Sequence, residues 1–424
     1  MRFQQLAILF LFFLLISCRK EVNAPLADTT WLLFNSPGTV SLPTQSRVAM
    51  EGVYQVKEGS SVFGKQVVLK WSFVASGLDT NFYLSFFCEK DIAYFDLEGK
   101  VLGDSILFNG YWRALANTES GIARFIIAAD GGAKRLLSQL PQVSKDSITI
   151  NGIFGNGQET PTQKMVLIYQ RPLYKGNVFE ILAHRSGGRT SDHLPYAENS
   201  IGMIQYASQL GATGIELDIR LTRDGIPILY HDNTLNLRLI QKNGLVGPVE
   251  SYSYDQLSNL VLLVDGERIP TLRQALETAL NNTSLHFIWL DTKYDDSIND
   301  VQALQSEFLE KAKASGRSLE IVIGLPGEDQ VAKFRELSHY DSVPSLCETS
   351  LQDVTDINAR VWAPRWTLGL QNDLVQQVKS EGRRVFVWTL DVPDYIDQFI
   401  NQGHFDGILS NYPSLVAYYY YVKE

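Results

Sequence analysis

The chain has 424 residues, 45% apolar and 20% charged, with a formal net charge of −10. That length points to two domains rather than one, and the apolar fraction excludes a disordered chain. The negative charge excludes a general nucleic-acid surface, which is usually basic. It leaves room for a phosphate ligand where a bound cation reverses the local sign.

At the N-terminus Arg2 precedes an almost unbroken apolar run, Leu6 to Ile16, which ends in Leu15-Ile16-Ser17-Cys18. The run is too short to span a membrane and has the length of a signal-peptide core. Leu-Ile-Ser-Cys resembles a bacterial lipobox. That resemblance implies a lipoprotein signal peptide over residues 1–17 and a diacylated Cys18. The exported chain would then be lipid-anchored in a bacterial envelope, in the periplasm or at the outer membrane or cell surface. The alternative is an ordinary signal peptide with an incidental cysteine. Residues 18–30 read as a polar tether, and no later stretch reads as transmembrane. Cys88 and Cys347 lack zinc-like spacing and read as buried apolar side chains.

Residues 31–172 are strand-like. Runs such as Gln66-Val-Val-Leu-Lys-Trp, Phe82-Tyr-Leu-Ser-Phe-Phe and Ile92-Ala-Tyr-Phe-Asp-Leu alternate with turn units such as Leu97-Glu-Gly and Ala129-Asp-Gly-Gly. Short strands with frequent turns predict a separate antiparallel β-sandwich or β-barrel. Its aromatics, Trp31, Trp71, Tyr94 and Trp112, read as core. No acidic or histidine cluster marks it as catalytic, and the partner of this accessory domain is unknown.

Residues 176–424 change rhythm to alternating strands and helices. Strands are expected at Phe179–Ala183, Gly214–Ile219, Ser284–Leu290, Leu319–Ile323, Ser345–Glu348, Arg360–Ala363, Arg384–Trp388 and Phe405–Leu409. Helices are expected at Ser200–Leu210, Thr271–Leu280 with Thr271 as cap, Asn299–Ala314, Glu328–Ser338, Asn372–Glu381 and Asp394–Asn401. The repeat predicts an α/β fold, a (β/α)8 barrel of TIM type, with active residues at the C-terminal strand ends. An open doubly wound sheet is the alternative, but its glycine-rich dinucleotide turn is absent.

Within this half, Ile215–Asp232 reads as a β-hairpin about Thr222-Arg223-Asp224-Gly225. Symmetric pairing about that turn sets Asp218 opposite Leu229 and Glu216 opposite His231, so the carboxylates and the imidazole share a face. Residues 233–269 form a long excursion in place of the helix expected next, and it should shape a pocket over the active face.

His184-Arg185, Glu198-Asn199-Ser200, Glu216-Leu-Asp218, Leu221-Thr-Arg-Asp-Gly225 and His231-Asp232 resemble the glycerophosphodiester phosphodiesterase signature. The match continues through Pro270-Thr-Leu-Arg, Leu290-Asp291-Thr-Lys293, Val387-Trp388-Thr389 and Asp406-Gly-Ile-Leu-Ser-Asn-Tyr-Pro413, and covers about residues 178–416. The resemblance implies that His184 and His231 are the acid/base pair. It implies that Glu216, Asp218 and Asp291 hold one divalent cation, that Arg185, Lys293 and Glu198 contact the substrate and its phosphate, and that Trp388 lines the alcohol pocket. Oxygen ligands alone suit Ca2+ or Mg2+ rather than zinc. Cation, Arg and Lys can stabilise the charge that builds on a phosphodiester during displacement.

Three departures stand out. Ser186 replaces the glycine of the His-Arg-Gly motif, and the stretch from there to Glu198 is longer than usual, with Pro195 displaced. Asp291 stands where many relatives have Glu. Ser410-Asn411 replaces a common Thr-Asp. The implied activity is metal-dependent hydrolysis of a small-molecule glycerophosphodiester to an alcohol and a glycerol phosphate. The alternatives are phospholipase D-like activity on lysolipids or sphingomyelin, and an inactive barrel serving as a surface-binding lipoprotein.

Overall fold

A computed structural model of the chain describes residues 30–176 and 178–424. The expected signal peptide, Cys18 and all of the tether except residue 30 lie outside the described residues. No helix among the described residues is long and apolar enough to cross a membrane.

Two closed barrels are joined in sequence. The first is a meander of eight antiparallel strands: β1 (Gly52–Glu58), β2 (Gln66–Ser76), β3 (Asp79–Cys88), β4 (Ala93–Leu102), β5 (Ser105–Ala114), β6 (Ser120–Ile127), β7 (Thr149–Phe154) and β8 (Gln163–Arg171). Each strand pairs with the next, and β1 pairs with β8 to close the ring. Closure leaves no free sheet edge, so the sandwich half of the expectation gives way to the barrel half. Alternate residues point inward, and Leu69, Phe86, Phe95, Phe108, Trp112 and Phe125 fill the interior. Tyr94 is buried as expected, but it faces out of the barrel. Trp31 is not core at all; it sits outside, its ring stacked on Phe34.

The second barrel contains the eight parallel strands expected from the sequence: β9 (Glu180–Ala183), β10 (Gly214–Leu221), β12 (Phe287–Thr292), β13 (Glu320–Leu325), β14 (Ser345–Cys347), β15 (Val361–Trp362), β16 (Arg384–Val387) and β17 (Gly407–Ser410). The return arm β11 (Pro227–Leu229) pairs antiparallel with β10. Inside, Leu182, Phe287, Trp289, Val322, Leu346, Val361, Phe386 and Leu409 make a packed layer. Trp289 fits because Gly324 faces it; a Cβ there would collide with the indole. Thr271 caps helix Leu272–Asn282 as expected, with a reciprocal contact to Gln274.

The hairpin register differs from expectation by one residue. Ile219 pairs with Leu229, and the Tyr230 N–H donates to the Asp218 carbonyl at 3.0 Å. The cause lies in the turn: Thr222 N–H bonds the Ile226 carbonyl and Gly225 N–H bonds the Thr222 carbonyl. The loop therefore spans one more residue than the symmetric reading allowed. The excursion is not a bare loop either. It carries helix Tyr254–Leu260 and its own apolar cluster of Leu235, Leu239, Ile240, Val249, Leu257 and Leu263. It precedes the barrel helix Leu272–Asn282 rather than replacing one. Helix Pro413–Tyr421 had no sequence expectation.

The two barrels share a seam. Val53, Val68, Phe87, Tyr94 and Tyr111 from the first pack in one cluster with Tyr206, Leu210 and Ala417 from the second. Hydroxyls cross it: Tyr111 to Tyr206 at 2.5 Å, Tyr206 to Tyr94 at 3.0 Å, and Ser85 to the Gln209 carbonyl at 2.6 Å. Asp96 also lies in the seam, buried at 7% exposure. Its carboxyl is pushed up to about 7 by burial, with the Tyr111 hydroxyl opposing and Glu98 adding to the rise.

A carboxyl raised on folding contributes its full stability below its unfolded pKa of about 4, and that contribution is lost as pH rises through the folded value. Asp96 should therefore weaken the fold between about pH 4 and pH 8 by an amount on the order of a few kcal/mol. Asp96→Asn is expected to flatten the decline of Tm across that range; an unchanged decline would contradict this role for Asp96.

Candidate active site

Strand alternation builds the site. The inward-facing residue beyond each apolar layer lies at the C-terminal mouth, and several of these are polar: His184 after Leu182, Asp291 after Trp289, Glu348 after Leu346, and Asn411 after Leu409. Asp218 pairs in register with Asp291, and Glu216 with Trp289, so both carboxylates of β10 face the same interior.

Glu216, Asp218 and Asp291 are all buried, and one ligand oxygen from each lies within 4.8 Å of the others. Glu216 Oε1, Asp218 Oδ1 and Asp291 Oδ1 accept no hydrogen bond among the described residues. Their remaining oxygens are held from behind. The Arg185 backbone N–H donates to Glu216 Oε2 at 2.7 Å, and Asn199 Nδ2 donates to Asp218 Oδ2 at 2.7 Å. Lys293 Nζ bonds Asp291 and lies 3.3 Å from Asp218 Oδ1.

Burial pushes the Glu216 carboxyl well up, and Asp218 and Asp291 push it further. Burial also raises Asp291, against the pull of Lys293. Asp218 is buried too, but Lys293, His231, His184 and Arg185 outweigh that cost and hold it down at about 2. Lys293 is raised because its three carboxylate neighbours overcome burial. Three acidic groups face one ammonium, and each keeps an oxygen without a hydrogen bond among the described residues. That donor set fits a hard divalent cation, held by Glu216, Asp218 and Asp291.

The histidines flank the triad. His184 Nδ1 is 2.8 Å from Asn411 Oδ1, and Asn411 Nδ2 donates to Asp391 at 2.6 Å. The amide thus presents its oxygen, so Nδ1 of His184 carries the proton and Nε2 is the basic atom. That Nε2 lies 3.8 Å from Glu216. Burial, then Arg185, lower His184 to about 4. His231 Nδ1 donates to Asp232 Oδ1 at 2.7 Å, and its Nε2 accepts from Arg185 Nη2 at 2.9 Å. The register slip does not remove His231 from the site: β11 ends at Leu229, the last ladder bond runs from Tyr230 N–H to the Asp218 carbonyl, and the His231 ring beyond it still meets Arg185.

Glu198, expected to contact the substrate, has both oxygens bonded within the chain. It is buried; Arg185 Nη1 bonds one oxygen at 2.9 Å, while Thr190 N–H and Arg238 Nη1 bond the other at 2.8 and 2.9 Å. These bonds fix Glu198 against Arg185. Trp388 is half-buried on top of the interior layer, its Nε1 bonded to the Ala363 carbonyl at 2.8 Å and Arg365 5.0 Å from its ring. Ser186 adopts φ 74°, the left-handed region that favours the glycine it replaces.

Several neighbours had no role assigned from sequence. Asn199, Asp232 and Asn411 sat inside quoted motifs but only their contacts reveal what they orient. Arg238 comes from the excursion and bonds both Asp232 and Glu198. Glu348 is a further carboxylate, raised by burial and by Asp291. Period-two alternation from Leu346 was a signal that could have found it.

Residues 184–415 match the family model described as the glycerophosphoryl diester phosphodiesterase family. A glycerophosphodiester phosphodiesterase of Caldanaerobacter subterraneus is 24% identical over 242 residues, 55% of this chain and 94% of the relative. Human glycerophosphodiester phosphodiesterase 1 is 35% identical over 109 residues, 24% of this chain, and the chain spans only 30% of that relative's length. A crystal structure of a glycerophosphodiester phosphodiesterase from Parabacteroides distasonis aligns with TM-score 0.44 at 24% identity, covering 55% of this chain and 94% of that one. The family match lies wholly within the parallel barrel.

A triad that repels itself should be stabilised by either a cation or a lost charge. Adding Ca2+ or Mg2+ at ~100 times its Kd should stabilise the fold by ~2.7 kcal/mol, seen as a rise in Tm that a chelator reverses. Asp291→Asn should raise the Tm of the metal-free protein and abolish the response to metal. A variant that still responds in full would show that the triad is not the cation site.

Proposed function

The chain belongs to the glycerophosphoryl diester phosphodiesterase family of phosphoric diester hydrolases, and on that premise we propose that it hydrolyses glycerophosphodiesters to an alcohol and a glycerol phosphate, with one divalent cation and His184 and His231 as acid/base pair. The supporting observation is the convergence of the buried carboxylate triad with two histidines, Arg185 and Lys293 at one barrel mouth.

Ca2+ or Mg2+ held by Glu216, Asp218 and Asp291 would polarise a phosphoryl oxygen and offset the charge that builds during displacement. Arg185 and Lys293 bind the phosphate as donors. Arg185 Nη2 bonds His231 Nε2, so turning that donor to a phosphate oxygen frees the imidazole at the moment substrate arrives. His184, neutral and oriented by the Asn411 amide, takes a proton at Nε2 from the nucleophile, which is water or a neighbouring hydroxyl of the substrate. His231, held at Nδ1 by Asp232, is placed to hand a proton from Nε2 to the departing alcohol. Acceptor and donor then work from opposite sides of the phosphorus. Trp388 would form a wall for the alcohol. Intact chemistry at every one of these positions argues against the inactive-barrel reading.

The test is release of choline or ethanolamine from the corresponding glycerophosphodiester, with and without chelator. His184→Ala is expected to lower kcat by about 10²- to 10⁴-fold while the metal-dependent rise in Tm persists. No turnover on any phosphodiester would sink the reading, and turnover of lysolipid but not its deacylated form would favour the phospholipase D-like alternative.

Envelope anchoring by lipid at Cys18 is part of the same proposal and rests on the Leu-Ile-Ser-Cys sequence alone. Mass spectrometry of the exported protein should show the added acyl mass, and Cys18→Ser should lose it and leave the membrane fraction. A Cys18→Ser protein that kept both would refute the anchor.

A further inference from the structure

Residues 184–200 connect β9 to helix Ile201–Tyr206 and carry His184, Arg185, Glu198 and Asn199. Four of them, Arg185, Ser186, His193 and Asn199, have positive φ without being glycine, at 52°, 74°, 52° and 59°. Such a backbone persists only where its surroundings over-determine it. Part of the support is local: Asp192 accepts from the Arg189 backbone and side chain, and Thr190 N–H bonds Glu198.

One support comes from the other barrel. Arg113 on β5 is fully buried at 0% exposure, and its Nη2 donates to the Asp192 carbonyl at 3.1 Å. Its Nε and Nη1 have no hydrogen-bond partner among the described residues. A buried guanidinium with so few acceptors is a poor device for stability, and an apolar side chain of similar volume would serve the seam better. What Arg113 supplies and an apolar residue cannot is a charged donor on the last carbonyl of the turn Thr190–Asp192. From that turn the path is short: Thr190 N–H bonds Glu198, and Glu198 bonds Arg185.

We propose that Arg113 is a positioning residue for the phosphodiesterase reaction: the antiparallel barrel grips the turn at residues 190–192 and so fixes Arg185 through Glu198. The accessory barrel is thereby part of the scaffold of the active site. The proposal rests on the reading that Arg185 binds the substrate phosphate. The seam itself does not depend on Arg113, since Tyr94, Tyr111, Tyr206 and Ser85 bridge it separately.

The experiment compares Arg113→Gln, Arg113→Lys and the seam control Tyr206→Phe in the full chain, by kinetics on a glycerophosphodiester and by amide hydrogen exchange. Loss of one charge-assisted hydrogen bond should raise KM about tenfold with a smaller change in kcat, and should speed exchange at residues 187–193. Arg113→Lys should restore part of both. Tyr206→Phe should lower Tm and leave KM within twofold. A folded Arg113→Gln with wild-type KM and unchanged exchange overturns the proposal, as does a Tyr206→Phe that shifts KM equally. If neither Arg113 variant folds, the wild-type chain decides: amides at 187–193 should exchange together with those of β5, and fast independent exchange overturns the proposal. A wild-type chain without turnover would defeat the functional reading, while the exchange comparison would still decide whether Arg113 holds the turn.

Discussion

Three carboxylates share the barrel mouth within 4.8 Å of one another, each with an oxygen that accepts no hydrogen bond. Left to themselves such groups are costly, because burial and mutual repulsion both oppose their charge. The surroundings are arranged to tolerate this. Lys293 reaches two of the three, Asn199 clamps Asp218 from behind, and the Arg185 backbone donates to Glu216. Each carboxylate still keeps one oxygen outside these hydrogen bonds, with Lys293 Nζ 3.3 Å from Asp218 Oδ1. Binding chemistry here would be the converse of strain: the repulsion that opposes the metal-free triad is what a cation held there would relieve.

The histidines show the same economy of orientation. Asn411 and Asp232 occupy the Nδ1 atoms of His184 and His231 and leave both Nε2 atoms toward the site. An amide stands behind one ring and a carboxylate behind the other, so two identical side chains sit in different surroundings. Arg185 ties the two sides together, bonding Glu198 below and His231 across the mouth.

Much of this was legible because alternation of period two and recurrence of βα units are written directly in residue order. All eight parallel strands were placed, and the inward positions of Glu216, Asp218 and Asp291 follow from counting in twos. The hairpin register was not legible. It depends on whether Thr222 bonds Ile226, a matter of loop geometry that the residues Thr-Arg-Asp-Gly leave open. Barrel against sandwich was undecidable for a similar reason, since both read as short alternating strands and only the pairing of β1 with β8 distinguishes them. The pairing of Glu198 with Arg185 and Arg238 was not legible either, because Arg238 comes from a distant excursion. Arg113 gave no sequence signal at all, because its partner is a backbone carbonyl 79 residues away.

The central claim is that one cation sits among Glu216, Asp218 and Asp291. Anomalous diffraction from crystals grown with Mn2+, a reporter for oxygen-ligated divalent sites, tests it most directly. The account predicts one strong peak at the C-terminal mouth, about 2.0–2.6 Å from an oxygen of each carboxylate. A peak elsewhere, or none at the triad in metal-saturated crystals, would contradict it.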